Sequence, residues 1–295
     1  MKHAGPLEKP TALREQQIPL AGGKPLTLAY ADWQQEDAYR GTVVAVHGLT
    51  RQKRDFDFVA ATLAKNGYQV IAVDAPGRGG SSWLADPNQY NLDFYADVFV
   101  AFLKNLGFTR VHWLGTSMGG LIALRIAEKD KANMLRSLTL IDITHKPHRA
   151  GLERIMGYVV ENLPVFTSPA QYLDILKKNL PLGDMTPDYV WSHYAEHQLK
   201  KSGNNYIFHF DPKIARRAQE DFKKPVDLTA GMKKISCPVA LVAGGKSDIC
   251  TAQEIADTKA LQPDLQVHIC PMAGHVPALA DAASQQFIYK NISNA

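Results

Sequence analysis

Cysteine is scarce in this sequence of 295 residues, where Cys237, Cys250 and Cys270 lie far apart and form no Cys-x-x-Cys pair. An odd and dispersed set of this kind argues against a disulfide framework and favours a reducing compartment. The first residues lack the apolar run of a signal peptide. No segment approaches the ~18 consecutive apolar residues that a membrane span needs. These absences predict a soluble, cytoplasmic protein with no membrane span.

A strong excess of one charge is also missing. Lysine and arginine total 33 against 29 acidic residues, which gives a formal net charge of +4, and the basic residues are scattered in pairs such as Lys177-Lys178. A nucleic-acid surface needs a denser basic stripe with aromatic residues between the charges. We therefore expect no nucleic-acid partner. The length and the 45 % hydrophobic content fit one large α/β domain with an insertion.

Short apolar runs alternate with helical segments along much of the chain. Such runs occupy residues 42–46, 70–73, 111–114, 138–141 and 238–243, and residues 265–270 are a further predicted strand. Uniformly apolar strands that alternate with helices are typical of a parallel sheet covered on both faces. Before them, residues 18–33 predict an antiparallel hairpin that is broken by Gly22-Gly23. Residues 1–15 are polar and predict no element.

The alternation stops between residues 144 and 236. This region has a helical pattern, many aromatic residues and several prolines. We interpret it as a helical lid inserted into the domain rather than as an independent domain. The predicted division is therefore a core formed by residues 1–143 and 237–295, with a lid formed by residues 144–236.

The sequence Gly115-Thr116-Ser117-Met118-Gly119 lies between a predicted strand and a predicted helix. A Gly-x-Ser-x-Gly turn at this place holds the serine in a strained conformation and lifts its hydroxyl clear of the sheet. The glycines lack a Cβ where the strand and the helix pass close together. Ser117 is therefore a candidate nucleophile.

A serine hydroxyl needs a base to remove its proton and a third group to orient that base. His275 follows the last predicted strand and is the candidate base, and Asp248, in the turn after the preceding strand, is the preferred acid. Asp142 also ends a strand and is the competing candidate, with a structural role in capping the following loop as its other interpretation. Catalytic groups in an open parallel sheet gather beyond the carboxyl ends of the strands.

The intermediate formed by attack on a carbonyl needs hydrogen-bond donors for its oxyanion. The backbone N–H of Met118, which follows the serine, is one candidate. The N–H of Leu49, in the loop after the first parallel strand, is the other. His47 is expected to orient that loop.

Together these motifs resemble those of the α/β-hydrolase fold serine hydrolases. The resemblance covers about residues 18–143 and 237–292, and includes the Asp74-x-x-Gly77-x-Gly79-x-Ser81 turn. It implies an eight-stranded, mostly parallel sheet with helices on both faces, no cofactor, no metal, and acyl transfer to water through Ser117. Small to medium carboxylic esters are the substrates that it favours. The oligomeric state and the ester specificity stay open.

We expect the substrate pocket to be lined by Leu49, Met118 and four aromatic residues, namely Trp83, Phe166, Trp191 and Phe208. Arg51 and Arg54 could bind a substrate carboxylate or form a solvated helix start. Three alternatives to an esterase remain: hydrolysis of a C–C bond in a diketone acid of the meta-cleavage type, an enol-lactonase, and a non-catalytic homologue that binds a ligand.

Overall fold

An eight-stranded sheet forms the centre of the protein in the computed structural model, which describes residues 8–20, 24–159, 163–179, 186–221 and 223–295. Its strands are β1 (Ala12–Ile18), β2 (Leu26–Trp33), β3 (Gly41–Val46), β4 (Tyr68–Val73), β5 (Val111–Thr116), β6 (Leu135–Ile141), β9 (Val239–Gly244) and β10 (Gln266–Cys270). They are ordered β1-β2-β4-β3-β5-β6-β9-β10. Only the pairs that involve β2 are antiparallel. The predicted α/β-hydrolase fold, with its mostly parallel sheet, is confirmed.

Helices cover both faces of the sheet. The helices of the core are α1 (Asp57–Ala64), α2 (Leu92–Asn105), α3 (Met118–Ile126), α9 (Ala252–Leu261) and α10 (Ala282–Ser293). Successive residues of a strand point to opposite faces. Val44 and Val46 of β3 accordingly pack in one apolar cluster with α2 and α3, while Val43 and Ala45 pack in another with α1 and α10. Both faces of β3 are therefore buried against helices and shielded from water, which is why β3 is apolar at nearly every position.

The segment between β6 and β9 contains both helices and a small hairpin. Its elements are α4 (Arg149–Tyr158), α5 (Pro169–Asn179), α6 (Asp188–Gln198), β7 (Leu199–Ser202), β8 (Asn205–Phe208), α7 (Ile214–Asp221) and α8 (Thr229–Lys234). The prediction of a wholly helical segment is wrong for β7 and β8, which pair antiparallel. Gly203, with a φ of +59°, lies where the chain reverses between them. That this segment acts as a lid stays a prediction.

Helix α6 is held against the core by side-chain hydrogen bonds. Nε2 of His193 donates to the carbonyl of Arg54 at 2.8 Å, and the Tyr194 hydroxyl donates to the carbonyl of Ala278 at 3.2 Å. Most aromatic residues of the segment, among them Phe166, Trp191 and Tyr194, pack in a third apolar cluster, which also includes Phe58 of α1. The segment is thus anchored to the core on the side where β3 and β5 end.

The N-terminal strand was not predicted in full. Strand β1 begins at Ala12, whereas residues 1–15 show no strand pattern, because a strand at the edge of a sheet is solvated and loses its apolar alternation. The turn predicted at Gly22-Gly23 lies outside the described residues. None of the helices in the described part of the chain is both long and apolar enough to cross a membrane.

Candidate active site

Ser117 occupies a sharp turn between β5 and α3. Its φ of +48° lies in a region that residues other than glycine rarely adopt. The turn is possible because a Cβ built on Gly119 would lie only 1.9 Å from the Val46 carbonyl oxygen. A Cβ on Gly115 would lie 2.6 Å from the backbone of Gly119. The two glycines therefore let strand, turn and helix approach closely enough to lift the serine out of the sheet.

The structure brings Ser117, His275 and Asp142 into one hydrogen-bonded row. Nε2 of His275 lies 3.1 Å from Oγ of Ser117, and Nδ1 of His275 lies 2.7 Å from Oδ2 of Asp142. The Asp142 side chain is fully buried and that of His275 is 7 % exposed. A carboxylate at Nδ1 keeps the proton on that nitrogen, so that Nε2 presents its lone pair to the serine hydroxyl.

The prediction that Asp248 is the partner of His275 is wrong. The Asp248 carboxylate instead pairs with Arg154 of α4, at 2.5 Å from Nε and 2.8 Å from Nη2. Its side chain is 41 % exposed, and the hydrogen bond from Arg154 lowers the pKa of that carboxyl. Its neighbour Ser247 turns inward and donates to Oδ2 of Asp142 at 2.6 Å. The turn after β9 therefore contributes a hydroxyl to the site rather than a carboxylate.

Asp142 reaches His275 because β6 lies directly beside β5 in the sheet. The Ser117 N–H donates to the carbonyl of Ile141, the residue before Asp142, at 2.9 Å. Oδ1 of Asp142 accepts from the Gly244 N–H at 2.7 Å, which joins it to the end of β9 as well. With donors at both oxygens, the carboxylate has a fixed orientation. The alternative interpretation of Asp142, as a cap for the following loop, missed its contact with the histidine.

The loop after β3, which contains the candidate donor Leu49, passes close to the serine. A Cβ built on Gly48 would lie 3.7 Å from Cβ of Ser117. His47 is buried, donates from Nδ1 to the Gly48 carbonyl at 2.7 Å and accepts from the Ala75 N–H at Nε2 at 3.0 Å. Burial lowers the pKa of His47 to about 4, which keeps its ring neutral. Since the C=O and N–H of a trans peptide point in opposite directions, this bond turns the Leu49 N–H away from His47.

Met118 supplies the other candidate donor. It is the first residue of α3, and the first N–H groups of a helix have no carbonyl partner within it. The positive end of the helix dipole lies at the same place, which favours negative charge near this N–H. That the N–H groups of Leu49 and Met118 form the oxyanion hole stays a prediction.

A cavity of about 330 Å³ opens beside the Ser117 hydroxyl and is mostly apolar. Ser117, His275 and Leu49 form part of its wall, and the segment between β6 and β9 contributes Tyr158, Tyr172, Leu176, Tyr194 and Phe208. Of the four aromatic residues predicted to line the pocket, Phe208 does so.

The other three aromatic residues do not line this cavity, and the prediction is corrected for them. Phe166 and Trp191 are buried in the third apolar cluster, where Phe166 packs edge-on against Phe208. Trp83 is 44 % exposed, with the Lys200 ammonium 4.4 Å from the centre of its ring. The side chain of Met118 is also turned away from the cavity and accepts a hydrogen bond from Arg78 at its sulfur.

The fold agrees with comparisons with known proteins. The family model described as alpha/beta hydrolase fold matches residues 41–282. A 3-hydroxybutyrate-oligomer hydrolase of Cupriavidus necator is 33 % identical over 273 residues, which cover 87 % of this chain and 89 % of the relative. The chain belongs to the α/β-hydrolase family.

Other members of the α/β-hydrolase family match over most of their length. An N-formylmaleamate deformylase of Pseudomonas putida is 26 % identical over 79 % of this chain and 81 % of its own. A solved α/β-hydrolase of Novosphingobium aromaticivorans superposes with a TM-score of 0.83 at 28 % identity, and covers 96 % of this chain and 99 % of its own. These relatives catalyse different hydrolyses, so substrate specificity has to be argued from this chain's own residues.

Arg78 is a feature of this α/β-hydrolase that its sequence did not single out. It is fully buried, and its guanidinium donates to the carbonyl of Leu49 at 2.8 Å and to the sulfur of Met118 at 3.4 Å. It also donates to the Pro76 carbonyl at 2.7 Å and to the Tyr95 hydroxyl at 2.5 Å. One side chain therefore connects the two residues that are the candidate oxyanion donors.

One group of side chains among the described residues of the hydrolase could hold a metal ion. Ligand atoms of Asp57, His193 and His197 lie within 4.8 Å of one another. Arg54 already pairs with Asp57 at 2.6 Å, and Nδ1 of His197 donates to the His193 carbonyl at 2.9 Å. These three residues are not among those that line the cavity beside Ser117, and we assign them a structural role in docking α6.

Proposed function

We propose that the protein hydrolyses carboxylic esters through an acyl-enzyme on Ser117. The unbroken hydrogen-bonded row from Ser117 through His275 to Asp142 is the observation on which this proposal rests. His275 accepts the Oγ proton as Oγ attacks the ester carbonyl, and then gives that proton to the departing alcohol oxygen. A water molecule attacks the acyl-enzyme in the same way and releases the acid. Asp142 orients the imidazole and stabilises its protonated form.

Two backbone N–H groups complete this proposed mechanism. Those of Leu49 and Met118 would donate to the oxyanion that forms when Ser117 attacks. Donors that are already in place before the reaction contribute most when the site excludes water. The bond from His47 to the Gly48 carbonyl supports this role for Leu49, because it orients the peptide to which the Leu49 N–H belongs.

The substrates we propose are neutral esters. Hydrolysis of a diketone acid at a C–C bond would call for a cation that is free to bind the acid group. Arg51 is instead engaged by both oxygens of Asp55 at 2.7 Å, and Arg54 by Asp57. Because each arginine pairs with a carboxylate of its own, neither offers an uncompensated charge to an anionic substrate. The apolar cavity wall supports the same choice.

The name of the Cupriavidus necator relative specifies an oligomer of a hydroxy acid, which is chemically an oligoester. A short oligoester of this kind is therefore a substrate to test beside simple alkyl and aryl esters. We further propose that the segment between β6 and β9 acts as the lid of the site, because its side chains form one side of the cavity. An enol-lactonase and a ligand-binding protein without turnover are the remaining alternatives.

Labelling with a fluorophosphonate probe, together with hydrolysis of 4-nitrophenyl esters of increasing chain length, tests the proposal. The wild-type protein should be labelled and should release nitrophenol, and Ser117→Ala should do neither. Ser284→Ala is a suitable control, because Ser284 is buried near the C-terminus and contacts His268 and Cys270. Equal labelling of the wild type and Ser117→Ala would refute the assignment, and binding without turnover would favour a receptor.

A further inference from the structure

One wall of the cavity beside Ser117 is polar, and its hydrogen-bonding groups are only partly used. Gln198, at the end of α6, and Arg51, in the loop after β3, both line the cavity. The two side chains come from different parts of the chain, since Gln198 belongs to the segment between β6 and β9 and Arg51 to the core. We refer to this pair as the polar wall.

Gln198 presents an acceptor that has no donor. The residue is only 3 % exposed, and its Nε2 donates to the Thr50 carbonyl at 2.5 Å. That bond fixes which end of the amide is nitrogen, because an oxygen placed against the carbonyl would be repelled. Oε1 is buried with no hydrogen-bond partner. Leaving a buried acceptor unpaired is unfavourable, because its desolvation is not compensated, so a ligand that donates to it is favoured.

Arg51 presents a donor that lines the same cavity. Its Nε and Nη2 are taken up by the Asp55 carboxylate, and its guanidinium lies 4.6 Å from the centre of the Tyr194 ring. No described residue accepts a hydrogen bond from the third nitrogen, Nη1. The pair with Asp55 is neutral as a whole, so Nη1 acts as a directional donor rather than as a free positive charge.

The polar wall is close to the reacting serine. A Cβ built on Gly48 would lie 3.7 Å from Cγ of Arg51 and 3.7 Å from Cβ of Ser117. The stem of Arg51 and the nucleophile are therefore both close to Gly48. A short substrate bound at Ser117 can reach this wall.

A group that uses both halves of the polar wall must donate to Gln198 and accept from Arg51. A carboxylate cannot donate, and it would also face the carboxylate of Asp55. An ammonium cannot accept, and an ester or ether oxygen cannot donate. A hydroxyl does both.

We propose that the polar wall binds a hydroxyl group of the substrate, and that the enzyme selects short esters that contain a hydroxyl over the same esters without it. This inference rests on the proposed esterase function and specifies its substrate class. The hydroxyl donates its proton to Oε1 of Gln198 and accepts from Nη1 of Arg51. The ester carbonyl meanwhile lies at Ser117.

Two matched ester pairs test this selection on either side of the scissile bond. For the acyl side, kcat/KM is compared between 4-nitrophenyl 3-hydroxybutyrate and 4-nitrophenyl butyrate. For the alcohol side, it is compared between 3-hydroxypropyl butyrate and butyl butyrate. Each ratio is divided by the ratio of the hydroxide-catalysed rates, which removes the intrinsic reactivity of the esters. The wild type should favour the hydroxyl ester in at least one pair by about tenfold or more, and Gln198→Met should bring that ratio close to one.

Glu196→Met is the matched control, since Glu196 is exposed on the same helix and does not line the cavity. It should keep the wild-type ratio. A corrected ratio near one in both pairs for the wild type, or an unchanged preference in Gln198→Met, would overturn the polar wall as a hydroxyl site. Either outcome would leave water as its only occupant.

Binding to Ser117→Ala separates this inference from the esterase proposal. Calorimetry with methyl 3-hydroxybutyrate and methyl butyrate measures the same discrimination without turnover. About tenfold tighter binding of the hydroxyl ester, lost when Gln198→Met is added, would support the polar wall even if the wild type hydrolysed neither ester. Equal binding would refute the wall, even if the wild type proved to be an active esterase.

Discussion

Nδ1 of His275 lies 2.7 Å from Oδ2 of Asp142, and the same oxygen accepts from Ser247. The carboxylate that orients the histidine therefore comes from the strand next to the serine strand. The turn after β9 supports that carboxylate with a hydroxyl and directs its own aspartate, Asp248, outward to Arg154. The two aspartates should consequently differ sharply in their effect on turnover.

Asp142→Asn should lower kcat by about four orders of magnitude, because an amide would donate to Nδ1 of His275 and favour the wrong tautomer. Asp248→Asn, the matched control, should change kcat only a few-fold, since it breaks a half-exposed ion pair with Arg154. Ester hydrolysis measured at saturating substrate separates the two. A comparable loss in Asp248→Asn, with Asp142→Asn active, would assign the acid to Asp248 instead.

Arg78→Lys should reduce kcat by about 10- to 100-fold with a smaller change in KM. Lysine cannot reach the Leu49 carbonyl and the Met118 sulfur at once, so the two backbone donors beside Ser117 would lose a shared support. Arg14→Lys serves as the control, because Arg14 lies on β1 and pairs with Asp32 of β2. A rise in KM alone would mean that Arg78 acts on substrate binding rather than on the donors.

The stability of the protein should fall as the pH is lowered from 6.5 to 4, in part because of His47. Burial lowers the folded-state pKa of His47 from 6.5 to about 4, so the unfolded chain binds more protons across this window, and stability rises with pH there. Between pH 7 and pH 5 this one group accounts for about 2 kcal/mol of the loss.

Urea unfolding of the wild type and of His47→Gln at pH 7 and pH 5 measures this contribution. The variant should be less stable at pH 7 but should lose less stability on acidification. The exposed His148→Gln should follow the wild type at both values. An unchanged pH dependence in His47→Gln would show that its ring is not held neutral by burial.

Two glycine-to-alanine changes should have opposite effects on stability. Gly119→Ala would place a Cβ 1.9 Å from the Val46 carbonyl oxygen, so the variant should fail to fold or lose several kcal/mol of unfolding free energy. Gly157 lies in α4 with nothing within 4 Å of the corresponding position, so Gly157→Ala should gain about 0.5–1 kcal/mol. Thermal unfolding measures the stability of both variants. A stable Gly119→Ala would contradict the close approach of α3 to β3.

The parts of the site that the sequence predicted are those that are encoded locally. Ser117, its flanking glycines and Leu49 belong to short motifs at strand ends, and such motifs fix their own backbone. The acid depends on tertiary contacts instead. Asp142 and Asp248 both follow parallel strands. Asp248 pairs with Arg154 of α4, which lies more than ninety positions earlier in the sequence, so this contact cannot be read from a local motif.

For the fold too, some elements were predicted from the sequence and others were not. The apolar strands of the sheet centre were predicted because burial on both faces leaves a continuous apolar run. Strand β1 and the β7–β8 hairpin are partly solvated, and their sequences give no such run. The polar wall could not be predicted at all, because the free acceptor of Gln198 depends on where Thr50 holds the other half of its amide.

The contact between Gly119 and the Val46 carbonyl has a consequence for how the enzyme loses its activity. The backbone of Ser117 can keep its unfavourable conformation only while α3 stays packed against the sheet. A partially melted form in which these layers have moved apart would let that backbone relax, and the hydroxyl would then leave the imidazole. Activity should therefore be lost on heating as soon as α3 begins to separate from the sheet. The rate of hydrolysis then reports on the packing between the helix and the sheet.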